Sequence, residues 1–365
     1  GIINKYNKGF NFMFFRESKK SFLGIDIGVA NIKLVELLND NHIARLRTYG
    51  YIEHGIDIIR NDDDVSFEKI VEAIKFITRK SKAISSKVIA SLPSYSVFSS
   101  VINIPAINKK NLAEAIHIEA KKFIPIPLKD VVLNWQILDD AKVHNNIMKK
   151  DENNNYKILL TAAPKNIVNK YINIFKASGL ELVTLDIESF AMTRSLIGND
   201  PSIVMICNIG NSISSVYVVK DGIPIISRSI DFGGKKINQN ISNILNIDIK
   251  KAEQFKEDQG LSGDLNNGIS KIVADSLQPI LDEIKYALAI FQSQSNETLE
   301  KIVLTGGSSS LLNLSEFISN KFNKRTYLGN PWARVDYPEE LFPVLEEIGP
   351  KFSVAIGLAQ REAEK

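Results

Sequence analysis

Two short stretches in different halves of the chain share one architecture, and that pairing restricts the possible folds more than any other feature. The first is FLGIDIGVANIKLVEL over 22–37; the second is IVMICNIGNSISSVYVV over 203–219. Each reads as a buried strand, a tight turn at Asp26-x-Gly28 or Asn208-x-Gly210, and a second, alternating strand. Glycine in such a turn permits positive φ and exposes amide N–H groups that can point at a phosphate. Two of these hairpins facing each other would grip a polyphosphate from both sides.

At 365 residues the chain exceeds one ordinary core, and two main domains are expected. Its 45 basic and 42 acidic side chains nearly cancel, which argues against a nucleic-acid surface. Cys207 is the single cysteine, so no internal disulfide framework exists and a reducing, cytoplasmic compartment is expected. It reads as a buried strand residue, not a nucleophile. No apolar run approaches the ~18 residues that cross a bilayer, and nothing resembles a signal peptide. His42, His54, His117 and His144 show no metal-ligand spacing. Residues 1–12 have no periodic pattern and are expected to be overhang before a start at Met13. The aromatic and cationic run up to Lys20 reads as a frayed tail, with a membrane-surface foot as the alternative.

Between the hairpins the pattern is α/β. A strand is expected over 49–57, then a helix carrying Phe67, Ile70, Val71, Ile74 and Ile77 behind the capping run Asn61 to Asp64, then a strand over 87–93. Strand–helix–strand–strand–helix follows over about 96–180, with an asparagine-rich loop over 141–155, and reads as a unit inserted into the first domain. A strand over 182–187 and a helix over 188–196 return to that domain. In the second half, Asp221-Gly222 signals another hairpin and Asp231-Phe-Gly233-Gly234 precedes a helix to Leu245. Residues 258–267 read as a polar stretch leading into a long helix with Ile280, Ile284, Ala287, Leu288 and Phe291 on its apolar side. A buried strand then feeds Thr305-Gly306-Gly307-Ser308, and Phe352 to Ala359 reads as a small-residue helix packed closely on something.

Four glycine turns thus recur: Asp26/Gly28, Asn208/Gly210, Gly233/Gly234 and Gly306/Gly307. The last two are each expected to open a helix, whose N-terminal amides and dipole suit phosphate. To these add the runs Lys33-Leu-Val-Glu36-Leu37, Ala90-Ser-Leu92-Pro93, Ile118 through Phe123-Ile124-Pro125-Ile126-Pro127, and Asn134-Trp135-Gln-Ile-Leu138. With these motifs the chain resembles the actin/Hsp70/sugar-kinase superfamily. The inserted unit resembles that of the FtsA-like branch, and within it the PilM family of the type IV pilus inner-membrane platform. The resemblance covers about residues 13–365.

It implies an α/β, actin-like ATPase fold of two ribonuclease-H-like domains with an FtsA-type SHS2 subdomain inserted in the first. On that plan the tail is 1–20, domain 1A is 21–95 with a return at 181–200, and the inserted subdomain 1C is 96–180. Domain 2 (2A/2B) is then 201–345, and 346–365 is a helix packing back on 1A. The resemblance further implies ATP and Mg²⁺ as ligands, with Asp26 holding the metal through water and the turn residues Gly28, Val29, Ala30, Asn31, Gly210, Asn211, Ser212, Gly233, Gly234, Gly306, Gly307 and Ser308 around the nucleotide. Lys33 reads either as a phosphate contact or as a solvated hairpin cation. Glu283 and Lys285 stand where relatives contact the adenosine ribose, and Glu188 where hydrolysing relatives orient the attacking water. Asn208 departs from the aspartate usual there: an amide has no charge for Mg²⁺ and cannot act as a base. ATP binding with slow or no hydrolysis is the expectation.

The partner implied is the cytoplasmic N-terminal tail of a PilN-like bitopic membrane protein, at a groove near Leu92, Phe123, Ile124, Pro125, Ile126, Pro127 and Trp135. Peripheral association with the inner membrane, contacts with other platform or motor proteins, and self-association are compatible with it. Two alternatives stand beside this scaffold. A small-molecule kinase needs a carboxylate base aimed at a substrate hydroxyl, and no loop supplies one. An FtsA-like filament wants a C-terminal amphipathic anchor, where this chain shows a packed helix.

Overall fold

The computed structural model describes residues 21–41, 43–105, 109–138 and 155–363. The expectations for the tail, for most of the asparagine-rich loop, and for His42 and His144 lie outside them.

In the first half the elements are β1 (Ser21–Ile27), β2 (Asn31–Asp40), β3 (Ile43–Glu53), α1 (Asp64–Lys80), β4 (Lys87–Leu92), β5 (Phe98–Pro105), α2 (Lys109–Phe123), β6 (Val131–Ile137), β7 (Asn155–Pro164), α3 (Lys165–Ala177), β8 (Glu181–Ile187) and α4 (Glu188–Leu196). The second half holds β9 (Val204–Ile209), β10 (Ser214–Lys220), β11 (Ile223–Ile230), α5 (Gly234–Leu245), α6 (Ile249–Gln259), α7 (Gly268–Ser276), α8 (Gln278–Gln294), β12 (Lys301–Thr305), α9 (Leu314–Phe322), β13 (Arg325–Leu328) and α10 (Phe342–Ala363).

The two large sheets repeat one topology. The first runs β3-β2-β1-β4-β8 and the second β11-β10-β9-β12-β13. In each, an antiparallel three-strand meander is extended by strands parallel to its first member. Leu23, Ile25, Met205 and Cys207 on the two leading strands are fully buried, as central strands covered on both faces require. Local chemistry sets the boundaries. Asp63 caps α1 by accepting from the Ser66 amide at 2.7 Å. Asp221 and Gly222, both at positive φ, turn β10 into β11.

The inserted unit is a third, antiparallel sheet ordered β5-β7-β6 with α2 across one face. Ile102, Ile158 and Leu160 meet Leu112, Ile116 and Ala120 in a small core of its own. Its element order is strand–helix–strand–strand. α3, which the sequence pattern groups with the insert, packs elsewhere: Tyr171, Ile174 and Phe175 are fully buried among the residues of β1, β4 and α1. The reason is that its apolar stripe faces the first large sheet.

At their bases the lobes share one apolar core, in which Ile89, Ala191 and Met192 meet Ile206, Tyr217, Val303, Val354 and Leu358. α10 crosses this region and begins ten residues before the expected small-residue segment, at Phe342. Its fit is close: a Cβ on Gly357 would lie 1.9 Å from the Ala191 carbonyl oxygen, and one on Gly24 would lie 2.0 Å from that of Ala355.

Candidate functional site

Both hairpin turns open into one cleft of about 770 Å³ between the lobes. Gly28, Val29, Ala30 and Asn31 line it from one side, and Gly210, Asn211 and Ser212 from the other. Small-molecule and cofactor sites are of that order of size. The role of the glycines differs from expectation. Neither Gly28 nor Gly210 sits at positive φ. Their own amides close the turns, Gly28 donating to the Asn31 carbonyl at 3.0 Å and Gly210 to that of Ile213 at 3.1 Å. Space excludes a side chain at Gly210, where a Cβ would lie 2.5 Å from the Ile213 oxygen; at Gly28 it would lie 3.2 Å from that of Asn31. The residues left to present groups to the cleft are those at the tips, from Val29 to Asn31 and from Asn211 to Ile213.

Gly233 and Gly234 do not line the cleft. The amides of Gly234 and Lys235 donate to the carbonyls of Gly210 and Asn211 at 3.0 and 2.9 Å, so the start of α5 braces the second turn from behind. A Cβ on Gly233 would lie 2.4 Å from the Gly210 oxygen. Those helix-end amides are therefore committed to protein. Gly306, by contrast, does need its glycine: it lies at φ +91° with a would-be Cβ 2.4 Å from Asn208 Oδ1. Gly306, Gly307 and Ser308 line the cleft, but the following helix starts only at Leu314, after a turn, so this junction presents no helix N-terminus.

Charged groups converge on the same space. Asp26 and Lys33 face each other in the β1–β2 register and pair at 2.9 Å, both largely buried. Glu188, the first residue of α4, reaches across to the second lobe, where Asn208 Nδ2 donates to its Oε1 at 3.0 Å. Its other oxygen accepts from the Ser94 amide at 3.5 Å. Burial, with the Asp26 charge adding to it, pushes the Glu188 carboxyl up to about 7. His54 lies beside the first turn: its Nδ1 accepts from the Ile56 amide at 2.9 Å, and its Nε2 is buried without a partner among the described residues. Burial lowers its pKa.

Several cleft residues have no sequence signal. Lys256 of α6 is the clearest: it is 5% exposed, its ammonium points toward Gly234 and Ser308, and no described residue hydrogen-bonds it. Burial lowers its pKa, while Glu253 and Glu257 favour its charge. Lys235, Asn238 and Lys351 also line the space. Glu283 and Lys285 do not. Glu283 pairs with Arg228 at 3.1 Å on the outer side of β11, and Lys285 is exposed. α8 packs its apolar stripe under the sheet, which turns these charges away from the cleft, and α6 forms that wall instead.

The groove residues divide. Leu92 and Ile124 are core, at 3% and 7% exposure in the first lobe and the insert respectively, so neither offers a contact surface. Phe123, Pro125, Ile126, Pro127 and Trp135 are exposed at the end of α2 and on β6, the edge of the inserted sheet. Cys207 is fully buried and its thiol is pushed up to about 12 by that burial, so it is not a nucleophile. Among the described residues, no group of three or more His, Cys, Asp or Glu could hold a metal, and no helix is long and apolar enough to cross a membrane.

A family model described as type IV pilus assembly protein PilM matches residues 24–363. The chain belongs to the PilM family of type IV pilus assembly proteins. A solved PilM-PilN type IV pilus biogenesis complex contains a chain similar to this PilM-family protein at TM-score 0.78 and 24% identity, covering 94% of this chain and 98% of that one. MreB5 of Spiroplasma citri bound to ADP is similar at TM-score 0.53 and 15% identity, over 94% of this chain and 96% of that one. Ethanolamine utilization protein EutJ from Carboxydothermus hydrogenoformans follows at 0.52 and 15%, over 93% and 89%. These likenesses and the duplicated sheets make the fold that of the actin-like ATPases.

Proposed function

We propose that this PilM-family chain is a nucleotide-binding scaffold of type IV pilus assembly that takes up ATP with Mg²⁺, hydrolyses it slowly or not at all, and binds the cytoplasmic N-terminal tail of a PilN-like membrane protein. The observation that carries the reading is the buried, unpartnered Lys256 in a cleft flanked by the tips of two equivalent hairpins. A largely buried lysine that lines the cleft and hydrogen-bonds no described residue has its charge available to an anionic ligand there. Lys33 adds a second cation on the first-lobe side. The donor set fits a polyphosphate. For Mg²⁺ the carboxylate at the first turn is Asp26, already paired with Lys33, which suits an ion held mainly by phosphate oxygens and water.

Slow turnover is supported by the same geometry. The amide of Asn208 occupies one oxygen of Glu188, and the upward-shifted carboxyl of Glu188 is a partly protonated base near neutrality. For the partner, the exposed apolar end of the insert and the solved PilM-PilN complex support the tail-binding reading. Isothermal titration with MgATP and with a synthetic tail peptide tests it, together with a steady-state phosphate-release assay. Binding of both with negligible phosphate release is expected. Turnover at several per second, or heat of binding from neither, would sink it.

A further inference from the structure

One exposed ion pair joins the two lobes beside the cleft. Arg60 lies in the loop after β3 and Asp231 directly after β11, so their 2.6 Å contact joins the two lobes. Each end is held in place. Asp57 Oδ1 accepts from the amides of Ile59 and Arg60 at 3.0 and 3.2 Å, and Lys170 of α3 donates to the carbonyls of Ile58 and Asn61 at 2.9 and 3.0 Å. On the other side, the Phe232 carbonyl accepts from Ser214 Oγ at 2.7 Å, and Gly234 is bonded to Gly210 of the second turn. Asp231 must therefore move with that turn.

A third contact leads to the insert. The Arg60 guanidinium lies 5.9 Å from the centroid of the Tyr95 ring, and Tyr95 sits in the single helical turn Ser94–Ser96 from which the chain departs into β5. The same turn touches the cleft through Ser94, whose amide reaches Glu188 and whose Oγ accepts from the Ser189 amide at 3.2 Å.

We propose that Arg60 is a latch residue: its pair with Asp231 holds the lobes closed over the cleft, and its seat on Tyr95 couples opening and closing to the root of the insert. Where the lobes share a core they stay packed, so relative movement is a rotation about that core, and this pair lies outside it. At 54% and 63% side-chain exposure the pair is an ordinary surface ion pair. Its strength suits a reversible catch: it biases an open–closed equilibrium a few-fold without freezing it. The inference relies on the nucleotide reading only for the identity of the ligand; the latch is a property of the lobes themselves.

Because Cys207 is buried and unreactive, cysteines placed by Arg60→Cys and Asp231→Cys can be joined selectively with a short bifunctional methanethiosulfonate reagent. Protein joined after loading with N-methylanthraniloyl-ATP is expected to release it roughly tenfold more slowly, and reduction is expected to restore the original rate. Arg60→Gln and Asp231→Asn should each speed release about two- to fivefold, and the double variant should go no further than either single change. Without any nucleotide, both single variants should show faster hydrogen exchange at residues 94–98 and 210–213. Unchanged release from the joined protein, additive effects of the two substitutions, or unchanged exchange at both segments would each overturn the latch. If the parent chain takes up no labelled ATP, the nucleotide reading fails, and the exchange measurement alone decides the latch.

Discussion

Asn208 and Glu188 join the two lobes at the floor of the cleft through a 3.0 Å hydrogen bond in which the amide donates and the carboxylate accepts. The pairing gives Asn208 a structural reason. An aspartate there would set a second carboxylate against a buried first one, beside Asp26. The amide removes that repulsion, and with it the charge that hydrolysing relatives are expected to use.

Glu188 makes the stability of the chain depend on pH. Its carboxyl is raised from 4.5 to about 7, so the folded state holds this proton more tightly than the unfolded state. Its contribution is therefore full below pH 4.5 and is lost as pH rises through 7. Glu188→Gln cannot ionise and keeps the acceptor for Asn208. The variant should gain on the parent by about 2–3 kcal/mol between pH 4.5 and 8, read from urea unfolding at each pH. Parallel stability curves for the two proteins would rule this out.

Asn208→Asp should do the reverse. Two carboxylates at hydrogen-bond distance share one proton, and raising the pH forces a second charge into a buried site. Relative to the parent, the variant should lose about 1–3 kcal/mol at pH 8 and recover most of it by pH 5.5. Its MgATP turnover should rise above that of the parent, since a second acidic group then faces the cleft. A variant as stable as the parent at both pH values would show that residue 208 does not contact Glu188.

Lys256→Met separates binding from folding. The lysine is buried without a hydrogen-bonding partner, so an apolar side chain of similar length should leave stability unchanged or raise it by about 1–2 kcal/mol. A charge-assisted hydrogen bond to a ligand is worth roughly 1.5–3 kcal/mol, so ATP affinity should fall about ten- to a hundredfold. Thermal unfolding and titration of the same preparation check both. Loss of stability with unchanged affinity would make Lys256 a structural residue.

The legible parts of this fold are those where burial leaves a pattern. β1, β9 and α8 carry unbroken apolar runs or a clean stripe because they lie in the middle of a layer, and the duplicated hairpins follow from them. α6 is invisible by the same logic: only Ala252 and Lys256 are buried along it, so IKKAEQFKEDQ has no stripe to read. β13 is four residues at a sheet edge, all of them partly or fully exposed. The site shows the same division. The turns are legible as glycine motifs, although space demands the glycine only at Gly210 and Gly306, and positive φ only at Gly306. Lys256 is not legible, because only tertiary packing distinguishes a buried lysine from its solvated neighbours. Glu283 and Lys285 of α8 are expected at the ribose only through the resemblance, and their place in the chain does not say which neighbour that part of the helix meets.

The exposed end of the insert provides the sharpest test of partner binding, because adjacent residues have opposite environments. Phe123 and Ile126 are 46% and 39% exposed, whereas Ile124 between them is 7% exposed and packs in the insert core. Phe123→Ala and Ile126→Ala remove contact surface from the outside only, so stability should stay within about 0.5 kcal/mol of the parent. Affinity for the synthetic tail peptide should nevertheless drop at least several-fold, as when an apolar anchor is truncated at an interface. Ile124→Ala opens a cavity and should cost about 2–4 kcal/mol of stability, with peptide affinity falling only as far as the insert unfolds. Calorimetric unfolding and peptide titration on the three variants distinguish the roles. Should the Phe123 and Ile126 variants bind the peptide as tightly as the parent, the tail docks elsewhere on the chain, and the edge strand β6 with Trp135 becomes the next surface to substitute.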